Sequence, residues 1–272
     1  MDNRKVTVLG GGNTAFSVAA RLSHRGHRVC LLEHPNFADV VEPLLEKKVI
    51  SLEGVLENGP VSIEKVTLDP QEALEFSDLL LLIVPAYAHK PFAELCGPFV
   101  KEEHITVIMP GTMGSLEWKR IVSEFGAQNI TVGEVDTAPY VCRKTSSLSA
   151  VIWGEVSTLG LGVHPFSATA KVEDVMASLF SNVSSYKDVV ECGLSAMNPV
   201  VHPAGVLMNA GRVEYSRGEF YFYEEGVSVS VSKVIEQVDT ERRDIGHVLG
   251  YNLVSVSAAF HQAGFGPQGT IW

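Results

Sequence analysis

Two short stretches carry residue types and spacings suited to chemistry. The first is Gly10-Gly11-Gly12-Asn13-Thr14-Ala15, which follows the apolar run 6–9 and opens into Phe16-Ser-Val-Ala-Ala-Arg-Leu. This order predicts a strand, a glycine turn and an amphipathic helix. Gly10 allows the tight turn, Gly12 lets a pyrophosphate approach the backbone, and Ala15 keeps helix and strand close. Phosphate oxygens would meet the unpaired N–H groups and positive end of a helix whose first turn is Asn13, Thr14 and Ala15. The second stretch is His202-Pro203, within Met197-Asn198-Pro199-Val-Val-His202-Pro203-Ala-Gly-Val-Leu-Met-Asn209. Pro203 disfavours helical backbone at His202 and suits a first helical turn, so the histidine is expected at the mouth of the helix that follows. There the helix dipole disfavours a second positive charge and keeps the imidazole neutral until it takes a proton from a reacting group. Such a group moves a proton while a nicotinamide moves a hydride. On spacing alone, a His-Pro turn is more often a structural feature than a catalytic one.

A second apolar strand, Val29-Cys-Leu-Leu32, ends in Glu33. This is close to the spacing of roughly 20 residues expected for a carboxylate on an adenosine ribose. A carboxylate accepts from the ribose 2′-OH and repels a 2′-phosphate, so NAD is expected ahead of NADP. Arg28 and His34 lie close enough in sequence to offset that charge in part, which keeps NADP open.

These residues need a frame. A helix is expected over 40–47, short strands with a hairpin over 51–69, and a helix opening on Pro70. The run 79–84 is continuously apolar, as in a parallel strand covered on both faces. Strand 106–109 leads to Pro110-Gly111-Thr112-Met113-Gly114-Ser115 and a helix over 116–125, and strand 130–134 leads to Asp136-Thr-Ala-Pro-Tyr140. Alternating strands and helices predict an α/β fold with a Rossmann-type, doubly wound parallel sheet. Ligands bind beyond the carboxyl ends of such strands. Pro85, His89, Gly111 and Thr112 are therefore expected at the cofactor, with Thr137 and Tyr140 within reach of a substrate. From about 188 the pattern turns helical, which predicts a dinucleotide-binding domain over 1–185 and a smaller all-helical domain over 186–272. The run 227–232 alternates like a strand yet feeds into the helical pattern, so its state is open. Arg212, Arg242 and Arg243 are candidate carboxylate clamps, since guanidinium grips carboxylate bidentately.

Composition narrows the partners. The formal charge is −11 with no basic block, which argues against a nucleic-acid partner. No stretch reaches the roughly 20 apolar residues that span a bilayer, and no signal peptide opens the chain, so neither membrane nor export is expected. Cys30, Cys96, Cys142 and Cys192 are widely spaced, which suits reduced thiols in a cytoplasm and no metal site. His24, His27, His104, His164, His247 and His261 show no metal spacing either. The oligomeric state is open, a homodimer included.

The glycine fingerprint, the segment 84–89, the Met-Pro-Gly-Thr loop from Met109 and, above all, Asn198-Pro-Val-Val-His202-Pro203 with Asn209 resemble the opine dehydrogenase family. Residues 232–242 add to the likeness. The resemblance implies a dinucleotide-binding domain followed by a helical one. It also implies NAD(P)H-dependent joining of an L-amino acid to a 2-oxo acid such as pyruvate through an imine, with His202 as the catalytic histidine. In that family a carboxylate from a later segment orients the histidine, and chains run longer than 272 residues. The ending Gly266-Pro-Gln-Gly-Thr-Ile-Trp272 is therefore expected to mark a fragment, unless Asp239, Glu241 or Asp244 takes the carboxylate's place. Glycerol-3-phosphate, ketopantoate and 3-hydroxyacid dehydrogenases share the architecture but use a lysine early in the second domain. No lysine lies between Asp188 and Ser232. A dinucleotide-binding module without turnover is the remaining alternative.

Overall fold

The computed structural model describes residues 3–262 and 269–271. Packing divides the chain into two units, Met1–Gly193 and Leu194–Trp272, against the 185/186 boundary expected from the pattern change.

The first unit opens with β1 (Lys5–Leu9), α1 (Asn13–His24), β2 (Arg28–Leu32) and α2 (Ala38–Lys47). A hairpin pair, β3 (Val49–Gly54) and β4 (Gly59–Ser62), precedes β5 (Lys65–Thr67) and α3 (Pro70–Phe76). Asp69 caps α3, its carboxylate accepting from the Gln71 and Glu72 amides, and Pro70 fills the first turn. Next come β6 (Leu79–Leu82), α4 (His89–Cys96), β7 (Ile105–Ile108), α5 (Gly114–Glu124) and β8 (Thr131–Val135). The unit closes with β9 (Tyr140–Ser146), β10 (Ser149–Glu155), β11 (Leu159–His164), α6 (Thr169–Leu179) and β12 (Val183–Ser185). α7 (Val189–Ser195) carries the chain across the division.

The main sheet has the order β12-β11-β8-β7-β6-β1-β2-β5. Its central strands are parallel, and β6 and β7 are buried along their whole length, as covering on both faces requires. Side chains alternate between two cores: Leu79 and Leu81 enter one, Leu80 and Leu82 the other. The sheet is not wholly parallel, as the sequence had suggested, because β11 runs antiparallel to β8. No helix separates those strands; the chain leaves through the β9–β10 hairpin and returns reversed, whereas α6 restores a parallel step to β12.

A second sheet, β4-β3-β10-β9, was only half anticipated, since the strands at 140–155 were not foreseen. Its apolar face (Ile50, Leu52, Val61, Tyr140, Ala150, Ile152) shares a core with Phe16, Val18 and Ala19 of α1. α1 thus lies between two sheets, which explains why nearly every residue from Ala15 to Leu22 is buried.

The second unit holds α8 (Asn198–Met208), α9 (Ala210–Tyr215), a π-helical turn (Phe222–Gly226), α10 (Val229–Val248) and α11 (Val256–Gln262) around Val200, Val201, Val231, Ile235 and Val256. The ambiguous 227–232 run resolves as the start of α10. Ser228 caps it by accepting from the Val231 amide, and the buried positions 231, 235, 239, 242 and 246 follow helical spacing. Among the described residues no helix is long and apolar enough to cross a membrane, and no group of three His, Cys, Asp or Glu is placed to hold a metal. All four cysteines are unpaired thiols.

Candidate active site

The carboxyl ends of β1, β2, β6, β7 and β8 carry the glycine turn, Glu33, the Pro85 turn, the loop 110–115 and Thr137. Gly10 has φ +116°, and a Cβ there would lie 2.6 Å from Val84 Cγ1 and 2.7 Å from the Ile83 carbonyl, so only glycine fits. Gly12 differs. Its backbone is extended, and a Cβ would meet nothing within 4 Å. It stands at the N-cap of α1, which has no side-chain cap and no acidic residue in its first turn. The amides of Asn13, Thr14 and Ala15 therefore lack helical partners and adjoin open space above Gly12, an arrangement that fits a pyrophosphate.

Glu33 is 6% exposed; its Oε1 accepts from the His34 amide at 2.7 Å, and its other oxygen lies where a Cβ on Gly11 would fall. Burial pushes this carboxyl above its ordinary value, against the pull of the His34 and Gly11 amides and the Lys144 charge. Arg28, expected to offset Glu33, instead pairs with Glu64 at 2.5 and 2.8 Å on the far side of its strand. The cation beside Glu33 is Lys144, which sequence reasoning missed. Its Nζ donates to the Gly11 carbonyl at 3.2 Å and the Val40 carbonyl at 2.8 Å, and lies 3.7 Å from the Phe16 ring centroid. Burial pushes that ammonium down to about 8. Alternation along β9 turns Tyr140, Cys142 and Lys144 to one face, but nothing local says that α1 lies beneath it. A cavity of about 460 Å³ next to His34, at the ends of β2 and β6, is lined by Asn36, Phe37, Tyr87, Ala88 and Phe92. Its aromatic walls suit a planar base.

The loop 110–115 is held from below. Glu134, at 0% exposure, accepts from the Met113 amide (2.7 Å), the Ser115 amide (3.1 Å) and Ser115 Oγ (2.6 Å). Gly111 packs so tightly on Glu134 that a Cβ would overlap it, while Thr112 is exposed with a left-handed φ of 49°. Strained non-glycine backbone of this kind persists only where the surroundings over-determine it, often at functional sites. Burial pushes the Glu134 carboxyl up, and these three hydrogen bonds hold it down. Pro85 is exposed and Thr137 half-buried, but two expectations change. His89 is 2% exposed, with its ring against Gly114 and its Nε2 without a hydrogen-bond partner, so it packs inside the loop rather than standing on the surface. Burial lowers its pKa. Tyr140 is buried in the core against Phe180, out of a substrate's reach.

In the second unit, His202 is not at a helix mouth. α8 begins at Asn198 with Pro199 in its first turn, and Pro203 lies inside the helix. Pro199 takes the slot assigned to Pro203, and Pro203 comes early enough that its missing N–H costs one bond near the helix start. His202 is exposed, 3.4 Å from Tyr223 Oη through Nε2, with its ring edge-on to Phe222 at 5.4 Å. Partial burial lowers its pKa. Phe222 packs on Gly205, and Asn209 donates to the carbonyls of Gly205 (2.7 Å) and Gly226 (2.9 Å), tying the π-helical turn to α8. Neither the π turn nor its aromatic pair was visible in the sequence. Arg242 is not a free clamp: it is 8% exposed and donates to Asp239 at 2.6 and 3.1 Å and to the carbonyls of Leu194 and Val254. Asp239 is spent in turn, since its second oxygen accepts from Arg243 at 3.0 Å. Arg212 pairs with Glu225 at 2.7 Å. Of the closing stretch 266–272, residues 266–268 and 272 lie outside the described residues.

Residues 185–268 match the family model described as NAD/NADP octopine/nopaline dehydrogenase, alpha-helical domain, and residues 5–109 match NADP oxidoreductase coenzyme F420-dependent. The chain is 27% identical over 257 residues to the opine dehydrogenase of Arthrobacter sp. (strain 1C), covering 94% of this chain and 71% of that one. It is 25% identical to the vitopine synthase of Allorhizobium ampelinum, covering 98% and 74%. In fold it resembles octopine dehydrogenase solved with NADH and agmatine (TM-score 0.73, 20% identity, 96% and 70% covered) and yersinopine dehydrogenase (0.81, 14%, 97% and 68%). A ketopantoate reductase from Ralstonia eutropha has a similar fold (0.67, 17%, 98% and 82%). In sequence and in fold, the chain is therefore similar to the opine dehydrogenases.

Proposed function

We propose that the protein is an NAD(P)H-dependent dehydrogenase acting on CH–NH bonds. It joins the amine of an L-amino acid to a 2-oxo acid such as pyruvate and reduces the imine, or runs the reverse oxidation. The observation that carries this reading is the uncapped first turn of α1 beside the open space above Gly12, a ready anion site at the end of β1. Gly10, Gly12, Asn13, Thr14 and Ala15 form the pyrophosphate cradle, Glu33 meets the adenosine ribose, and the cavity beside His34 takes the base. Pro85, Gly111 and Thr112 line the further run of the cofactor. The bound nicotinamide supplies the hydride. Solved relatives carry NADH with agmatine, L-arginine or pyruvate, and NADP+, which supports both the cofactor and the substrate class.

His202 is the proton-handling group. Condensation of an amine with a 2-oxo acid releases water and leaves an imine; the hydride then adds to carbon and a proton to nitrogen, giving a secondary amine. A histidine with a lowered pKa is poised to give and recover such protons, and Tyr223 holds its ring. Thr137 is assigned to the 2-oxo acid. Four unpaired thiols, three of them buried, suit a reducing cytoplasm.

The test is NADH consumption with pyruvate and a panel of amino acids, read with mass detection of the secondary amine. Consumption that requires both substrates and disappears in His202→Ala is the expected result. Nucleotide binding without turnover for any pair would overturn the catalytic reading in favour of a binding module.

A further inference from the structure

The glycine turn is approached from an unexpected side. β9 crosses the N-terminal end of α1, with Cys142 Sγ 3.8 Å from the Asn13 carbonyl, and the Lys144 amide donating to Asn13 Oδ1 at 3.0 Å. The backbone at Lys144 is thus anchored to the first residue of α1. Its side chain runs over the Phe16 ring to the Gly11 and Val40 carbonyls, beside the Glu33 carboxylate. The ammonium is fixed at its root by main-chain bonding, while its tip is held by two neutral acceptors and a ring face.

Glu33 alone would select against a 2′-phosphate, since two anions would share one pocket edge. Lys144 brings a cation to that edge. We infer that Lys144 is the residue through which this site accepts a 2′-phosphorylated dinucleotide, its ammonium exchanging the Gly11 and Val40 carbonyls for phosphate oxygens beside Glu33. The inference rests on the dinucleotide reading above. A phosphate adds a charge–charge attraction that the neutral carbonyls lack, so the exchange is favourable when the phosphate is present. When the ribose carries a free 2′-OH, Glu33 accepts from it and Lys144 stays on its carbonyls, neutralising the carboxylate. One pocket edge thereby serves both nucleotides. The competing assignment is a strut: Lys144 holds Gly11 against α2 and serves every nucleotide alike.

Lys144→Met decides between them, because the thioether keeps the length of the stem over Phe16 and removes only the charge. On the full chain, dissociation constants are measured by fluorescence for NADPH and NADH, and by calorimetry for 2′,5′-ADP and 5′-ADP. Losing the ionic hydrogen bonds should weaken NADPH and 2′,5′-ADP by about 10–100-fold. NADH and 5′-ADP should weaken no more than about threefold, and Lys144→Arg should restore most of the NADPH affinity. If Lys144→Met melts too early to titrate, the parent protein still answers: raising ionic strength should weaken NADPH more steeply than NADH. Equal weakening of both nucleotides by Lys144→Met, or equal salt slopes in the parent, would assign Lys144 as a strut and overturn the inference. Parent protein that binds NADH but not NADPH overturns it too, while leaving the dinucleotide reading intact. Binding of neither nucleotide would remove that reading and the inference together.

Discussion

Two glycines of the same turn should fail in opposite ways. Gly12 has extended backbone that any residue adopts, and a Cβ there meets no protein atom within 4 Å. Gly12→Val therefore costs the fold only what a poor N-cap costs, about 1 kcal/mol. For a unit of this size that is a melting shift of roughly 2–4 °C. The same side chain fills the approach to the α1 amides. Losing two main-chain hydrogen bonds to a charged pyrophosphate, at about 1.5–3 kcal/mol each, weakens nucleotide binding by roughly 10²–10⁴-fold. Gly10→Ala reverses the balance. A φ of +116° and a Cβ 2.7 Å from the Ile83 carbonyl demand backbone movement at the end of β1. The strain, of order 1–3 kcal/mol, lowers the melting temperature by more than the Gly12 variant does. Thermal melts and NADH fluorescence titrations of the two variants side by side provide the assay. The reasoning is refuted if Gly12→Val binds NADH as tightly as the parent, or if it unfolds earlier than Gly10→Ala.

Further expectations concern the second unit. His202→Ala should lower turnover by about 10²–10⁴-fold while NADH affinity holds, as measured by steady-state kinetics and titration. Because partial burial lowers the His202 pKa below its usual 6.5, its acid form is lost early: imine reduction should fall as pH rises through a value under 6.5, and the reverse oxidation should rise through the same value. Tyr223→Phe removes a long 3.4 Å hydrogen bond, so it should cost only about two- to threefold in kcat; a loss matching that of His202→Ala would show that the hydroxyl itself handles the proton. Asp239→Ala leaves the Arg242 guanidinium buried without its anion, which should destabilise the helical unit by about 3–5 kcal/mol in denaturant unfolding. A change under 1 kcal/mol would mean that the buried pair contributes little.

Some of this architecture is written locally. The run Leu79-Leu-Leu-Leu82 reads as a strand covered on both faces, and Asp69-Pro70 reads as a helix start, because backbone sterics and orphan N–H groups act within a few residues. The strand–glycine–helix order at Gly10 is of the same kind, as is the helical character of the second unit. Periodicity reports which face of an element is buried, however, not what buries it. α1 reads as amphipathic, yet a second sheet closes its other side and delivers Lys144 to Gly11 from 133 residues away. The reversal of β11 follows from a missing crossover helix, a matter of connection rather than of any strand's residues. Charges are the least legible of all. Arg28, Arg242 and Asp239 each looked available, and each is consumed by a neighbour the fold supplies: Glu64 across the strands, Asp239 beneath Arg242, and Arg242 and Arg243 around Asp239. An ionic partner depends on distances of a few ångströms between chain-remote atoms, and those distances exist only once the core has packed.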